Sequence, residues 1–133
     1  MILIDANVLI DIIEDQTDWT AWSKNALINA SRNDLFAINF VVYAEIAFSF
    51  PSKAVLDMFL SELNVQILPI TDDIAYGAAQ AHRSYKLAGG LRTATLPDFF
   101  IGAHASVQNL VLLTRDPKRI RTYFPDVKLI TPE

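Results

Sequence analysis

The tightest restriction on the fold lies in residues 1–11, MILIDANVLID, where an unbroken apolar run ends on the carboxylate of Asp5. A run without polar alternation suits a parallel strand covered on both faces. Val8, Leu9, Ile12 and Ile13 then fall at helical spacing, so the strand feeds a helix. Open α/β sheets take their ligands outside the carboxyl ends of their strands. Asp5 stands at such an end. Its purely structural role would be to cap the helix that follows.

The same alternation recurs along the chain. Gln16 to Asp18 read as a turn, and Trp19, Trp22, Ala26 and Ala30 give a helical face through about Ser31. Leu35 to Ile38 is a short strand, and Asn39 is placed to cap a helix over Phe40–Ser49 that Pro51 ends. Leu56, Phe59, Leu60 and Leu63 mark an amphipathic helix over Ser52–Leu63. Val65 to Leu68 is a third strand. Thr71 or Asp72 caps a helix with Ile74, Ala78, Ala81, Tyr85 and Ala88 on its inner face, stopped by Gly89-Gly90. Residues 91–96 form a polar loop, and Pro97 suits the first turn of a helix running to about Gln108. Leu110 to Leu113 is a fourth buried strand, Lys118 to Tyr123 a short helix, and Val127 to Ile130 an edge strand. Strands alternating with helices predict one domain over residues 1–133, a three-layer α/β/α sandwich with a mostly parallel sheet of four to five strands.

Composition narrows the function classes. With 52% hydrophobic and 20% charged residues, the chain is globular rather than disordered. It has no cysteine, hence no disulfide, thiolate zinc site or catalytic thiol. No apolar run is long enough to span a membrane and no signal-peptide pattern opens the chain, so a cytoplasmic protein is expected. The net charge of −4 argues against a nonspecific nucleic-acid coat but not against a nuclease.

Four carboxylates resist a structural explanation. Asp116 follows the LVLL strand by two residues, so in a parallel sheet it shares an edge with Asp5. Glu45 interrupts the apolar helix FVVYAEIAFSF with no cation within four residues, and its side chain leans back toward the helix start. Asp98 begins the LPDFFIGAHA helix, where an acid also suits the helix dipole. Brought together, each like-charged pair costs about 3 kcal/mol at ~5 Å and an effective dielectric near 20. A cluster of that kind calls for cations, and an all-oxygen ligand set suits Mg²⁺ or Mn²⁺ rather than zinc. Carboxylate-held Mg²⁺ is an apparatus for phosphodiester cleavage.

The ordered set ILIDANVLID, a Glu in an apolar helix, LPDFFIGAHA and LLTRDPKRI resembles the PIN-domain ribonucleases, and more narrowly the VapC-type toxins of toxin–antitoxin pairs. The resemblance covers nearly the whole chain through the order and spacing of its motifs. It implies a PIN-like fold and an Mg²⁺- or Mn²⁺-dependent RNA endonuclease, usually a homodimer, inhibited by a cognate antitoxin. It places the family's acidic residues on Asp5, Glu45, Asp98 and the more variable Asp116. Asn7 and Thr114 fall where the family carries polar residues that orient carboxylates or water. Gly102, within an otherwise Ala-rich run, and Gln108-Asn109, where a Gly turn is common, depart from the pattern.

Other residues weigh less. Asp11, six residues past Asp5, is expected on the surface. His104 lies about 240° around the helix from Asp98 and His82 is on another helix, which disfavours a histidine site. Arg115, Lys118, Arg119 and Arg121 place four of the eleven basic residues within seven positions and suggest an RNA-binding rim, extended by Arg83, Lys86 and Arg92. Trp19 and Trp22 are expected in core or interface rather than as base-stacking platforms. A haloacid-dehalogenase-type phosphatase would need Asp where Asn7 stands. A receiver domain would need an acidic pair after strand one, and a dinucleotide-binding domain a Gly-rich turn there. The remaining rivals are a non-catalytic PIN fold used for binding or as a scaffold, and an RNA-processing PIN nuclease without an antitoxin.

Overall fold

The computed structural model describes residues 1–90 and 94–132. The apolar runs become five short parallel strands: β1 (Ile2–Ile4), β2 (Phe36–Asn39), β3 (Val65–Leu68), β4 (Val111–Leu113) and β5 (Leu129–Ile130). Their order across the sheet is β3-β2-β1-β4-β5. Between them run α1 (Ala6–Glu14), α2 (Thr20–Ser31), α3 (Phe40–Ala47), α4 (Lys53–Glu62), α5 (Asp72–Leu87), α6 (Phe100–Gln108) and α7 (Lys118–Tyr123). This is the expected three-layer α/β/α sandwich, with its sheet wholly parallel.

The strands at the centre are the most buried. All of β1 and β2 is enclosed, whereas β3 at the margin exposes Gln66 and Ile67. Leu3, Ile4, Ile38, Leu112 and Leu113 form the middle of the core, met by Val8, Leu9, Ile46, Leu56 and Ile74 from the helices. Three helix starts follow from side chains placed for the purpose. Asn39 Oδ1 accepts from Val42 N, Ser52 Oγ from Val55 N, and Thr71 Oγ1 from Ile74 N.

Local differences from the sequence reading have local causes. Pro97 opens a single 3₁₀ turn, Leu96–Phe99, and α6 proper begins only at Phe100. Leu35 is exposed and precedes the sheet, and Ala88 lies past the last turn of α5, outside its buried face. Gly89 takes φ 78°, the left-handed conformation that ends α5. Gly102 is explained by close approach, since a Cβ there would run into the ring of Phe124. Among the described residues no helix is long and apolar enough to cross a membrane.

Candidate active site

The sheet order creates the site. From β1 the chain moves outward through β2 to β3, then returns to the far side of β1 as β4 and β5. The direction of winding therefore reverses between β1 and β4, which opens a crevice at their carboxyl ends. Asp5 leaves β1 there, and Thr114 and Asp116 leave β4. The two tips are stitched together: Asp5 N donates to Leu113 O at 2.9 Å, and Thr114 Oγ1 donates to Asp5 Oδ2 at 2.8 Å. Asn7 Nδ2 spans Asp5 Oδ2 at 3.4 Å and Thr114 Oγ1 at 3.3 Å, and Asp116 N donates to Thr114 Oγ1 at 3.1 Å. Asp5 makes no side-chain cap of α1, so its carboxylate faces the crevice rather than the helix.

Asp5, Asn7, Glu45, Asp98, Asp116 and Arg119 line one cleft of about 240 Å³. Burial pushes the Asp5 carboxyl up, the Thr114 hydroxyl and the Ala6 amide oppose that rise, and the negative charge of Asp116 adds to it. Glu45 is pushed up to about 7, first by desolvation and then by the charges of Asp5 and Asp98. As a residue Glu45 is open to solvent, so its desolvation is that of a cleft wall rather than of a sealed interior. Asp98 serves two ends. Its Oδ2 accepts from Thr95 N at 2.6 Å and Thr95 Oγ1 at 3.2 Å in a capping box, while the carboxylate still borders the cleft. Thr95 was not singled out in the sequence, although T-x-x-D is a readable capping signal.

The polar groups lining the cleft are carboxylates with one amide, Asn7, and the Arg119 cation; the oxygens are a hard set suited to Mg²⁺ or Mn²⁺. Among the described residues no three acidic or histidine groups are gathered tightly enough to form a finished cage. The four carboxylates share a cleft without closing on one point.

A polar clamp fixes two walls of that cleft. Asn39 Nδ2 donates to His104 Nδ1 at 3.2 Å, and His104 Nε2 donates to Gln108 Oε1 at 3.1 Å, the tautomer these partners require. Asn39 also caps α3, which carries Glu45, and His104 sits on α6, which follows Asp98. Burial holds the His104 imidazole below its usual range, in the neutral form the clamp needs. His104 is thus a structural link, fully enclosed.

A PIN-domain family model matches residues 2–125. The chain belongs to the PIN-domain family. Solved structures similar over essentially the whole length share this fold. VapBC2 from Rickettsia felis bound to a DNA fragment from its promoter is 21% identical, with TM-score 0.75 and coverage of 100% of both chains. A toxin–antitoxin complex from Klebsiella pneumoniae is 27% identical, with TM-score 0.72 over 100% of this chain and 98% of that one. VapBC-1 from nontypeable Haemophilus influenzae is 20% identical, with TM-score 0.74 over 98% of each. No curated protein matches the chain by sequence.

In this PIN domain Asp11 is not on the surface. It is 0% exposed, with Oδ2 accepting from Ser23 Oγ at 2.7 Å and Arg115 Nε at 2.8 Å, and Oδ1 from Thr17 Oγ1 at 3.1 Å. Asp11 faces inward on the first helix because its partner arrives from a loop 104 residues later, which no local pattern reports. The pair anchors the loop carrying Thr114 and Asp116 onto α1 and α2, and the Arg115 amide adds a 3.4 Å bond to Asn7 Oδ1.

The basic residues separate into two groups. Arg119 lies in the acidic cleft, its guanidinium 5.8 Å from the Phe99 ring centre and 5.9 Å from that of Tyr85. Among the described residues it makes no ion pair. Arg115, Lys118 and Arg121 line a neighbouring groove with Trp19. Arg83 and Lys86 are exposed on α5, and Arg92 lies outside the described residues. Trp19 is 40% exposed and therefore not a core residue, while Trp22 is half-buried beside it.

Proposed function

We propose that this chain is a metal-dependent endoribonuclease and the toxin of a toxin–antitoxin pair. The observation that carries the reading is the convergence of Asp5, Glu45, Asp98 and Asp116 on one cleft at the β1–β4 switch point. A wall of carboxylates with little internal neutralisation fits a divalent cation and, through it, a phosphate backbone. Asp5, Glu45, Asp98 and Asp116 would hold Mg²⁺ or Mn²⁺. When bound, the ion supplies Lewis acidity toward water and a phosphate oxygen. Thr114 and Asn7 keep the Asp5 carboxylate aimed into the cleft. Arg119 rests on aromatic faces rather than on a carboxylate, which leaves its N–H groups to meet phosphate. Lys118, Arg121 and Arg115 contribute the basic rim along which RNA approaches.

The toxin role is supported by the company this fold keeps. The Rickettsia and Haemophilus structures are VapBC assemblies, and the Klebsiella structure is a toxin–antitoxin complex. A cognate antitoxin is the expected protein partner, with a homodimer as the active unit and the cytoplasm, where RNA is found, as the site of action. The test is cleavage of a panel of structured and single-stranded RNAs by purified protein in Mg²⁺ or Mn²⁺, with EDTA and Asp98→Asn as controls. Cleavage lost in both controls supports the enzyme. Absence of cleavage together with absence of Mn²⁺ binding by calorimetry refutes it in favour of a scaffold.

A further inference from the structure

The cleft carboxylates fall into two pairs, each with its own hydrogen-bonded bridge. Asp5 and Asp116 leave the tips of β1 and β4, where Thr114 and Asn7 pin them. Glu45 and Asp98 stand on helical walls, and the bridge between those walls runs from Asn39 to His104. Glu45 comes six residues after Asn39, and Asp98 comes six residues before His104. Among the described residues no other hydrogen bond joins α3 or its cap to α6. The bridge has one allowed arrangement. Asn39 Oδ1 is committed to Val42 N at 3.0 Å, so the amide cannot turn over without setting one donor against another. Its Nδ2 must therefore donate, and His104 Nδ1 must accept. Both side chains are 0% exposed, shut off from bulk water. The bridge also works against a load, because the charge of Asp98 acts on Glu45 and like charges push the two walls apart.

We propose that Asn39 and His104 are positioning residues that choose the cation, by holding the Glu45 and Asp98 walls at a separation suited to a small, octahedral ion. The inference rests on the metal-dependent nuclease reading and deepens it by naming what sets the ion. Among the described residues the carboxylates share the cleft without closing on one point. Which ion they fit therefore depends on how far apart the walls are held. Mg²⁺ takes oxygens at about 2.0–2.1 Å in a strict octahedron, and Ca²⁺ at about 2.3–2.6 Å in a larger, more flexible shell. Selectivity between small and large ions is thus a matter of cavity size and rigidity. Walls free to swing would accept either ion. Partners that orient ligands without touching the metal commonly carry much of its affinity.

The test is calorimetric titration of the full chain with Mn²⁺ and, separately, with Ca²⁺. Asn39→Ser keeps a side-chain oxygen to cap α3 and removes the donor to His104. It should weaken Mn²⁺ binding roughly tenfold and Ca²⁺ binding far less, so the ratio of the two affinities falls. His104→Leu cuts the same bond from α6 and should do the same. His104→Asn offers an amide oxygen in place of Nδ1 and should restore most of the wild-type ratio. A merely structural link would lower the urea midpoint of both cut variants and leave the ratio in the folded protein unchanged. That result would overturn the inference while Mn²⁺ binding keeps the nuclease reading standing. Equal losses for the two ions would overturn it as well, since the bridge would then support binding without choosing the ion. If Asn39→Ser proves misfolded by circular dichroism, His104→Leu and His104→Asn still decide. Wild-type protein that binds neither ion would remove this inference together with the metal-dependent reading it rests on.

Discussion

Replacing Asp11 with Ala is the perturbation whose cost can be worked most directly from the structure. Asp11 is wholly enclosed and accepts from Ser23, Arg115 and Thr17. Its loss leaves the buried Ser23 hydroxyl without an acceptor, at about 1–3 kcal/mol for a stranded polar group. It also strands the Arg115 guanidinium, whose side chain is 29% exposed and so can recover part of its hydration. Removing one partner of a buried pair costs about 3–5 kcal/mol, and the partial access of Arg115 puts this case near 3 kcal/mol. For 133 residues the unfolding entropy is roughly 280 cal/mol/K, so the melting temperature should fall by about 10 °C. Thermal unfolding followed by circular dichroism measures this. Adding Arg115→Met to Asp11→Ala should recover part of the loss, because no charge is then left stranded. A drop below about 3 °C, or strict additivity of the two substitutions, would refute the idea that this pair anchors the loop.

Other outcomes follow from the same geometry. Glu45 has its carboxyl raised to about 7 from 4.5, so the folded state holds more protons than the unfolded one between those values. In EDTA, stability should therefore be greatest near the lower end and decline as pH rises through about 7; Glu45→Gln should flatten that decline in urea titrations, by about 1 kcal/mol or less once solvent screening of this open residue is counted. Mg²⁺ at a hundredfold its dissociation constant should stabilise the native protein by about 2.7 kcal/mol, and thermal shifts should show this largely lost in Asp5→Asn. Thr114→Val removes the 2.8 Å donor to Asp5 and should cost about 1–3 kcal/mol while raising the Asp5 pKa further, both measurable by denaturation across pH. Gly102→Ala should destabilise by about 1–3 kcal/mol in urea denaturation through overpacking against Phe124 and Ile120.

Which parts of this molecule could be read from its sequence depends on the range of the interaction. The strands and helices were legible because apolar runs, Asn39, Thr71 and Gly89 act within a few residues of themselves. Of the four carboxylates that line the cleft, Glu45 breaks a local rule, and a broken local rule points to a constraint from elsewhere; Asp5, Asp98 and Asp116 are ordinary at strand and helix ends and stand out only through the order of the strands. Asp11 broke no rule. An acid on a short helix is ordinary on a surface, and only Ser23 and Arg115, supplied by other elements, turn it inward. The 3₁₀ turn at Leu96–Phe99 was likewise hidden, since Pro97 suits the first turn of either helix type. The clamp of His104 on Asn39 spans 65 residues and leaves no trace in spacing.

The central place of β1 has a consequence for how the protein comes into being. Its ladder to β4 joins Ile2–Ile4 to Val111–Leu113, and the Thr114 bond to Asp5 closes a loop of 109 residues. During synthesis at about 5–20 residues per second, β4 follows β1 by roughly 5–20 seconds. Throughout that interval β1 has an open edge, and Asp5 has neither the Thr114 hydroxyl nor Asp116 beside it. The cleft therefore cannot assemble until β4 has been made. A message broken upstream of the β4 codons encodes a nascent chain that carries Asp5, Glu45 and Asp98 but no crevice to gather them. Under the nuclease reading proposed above, activity is withheld until β4 has joined the sheet.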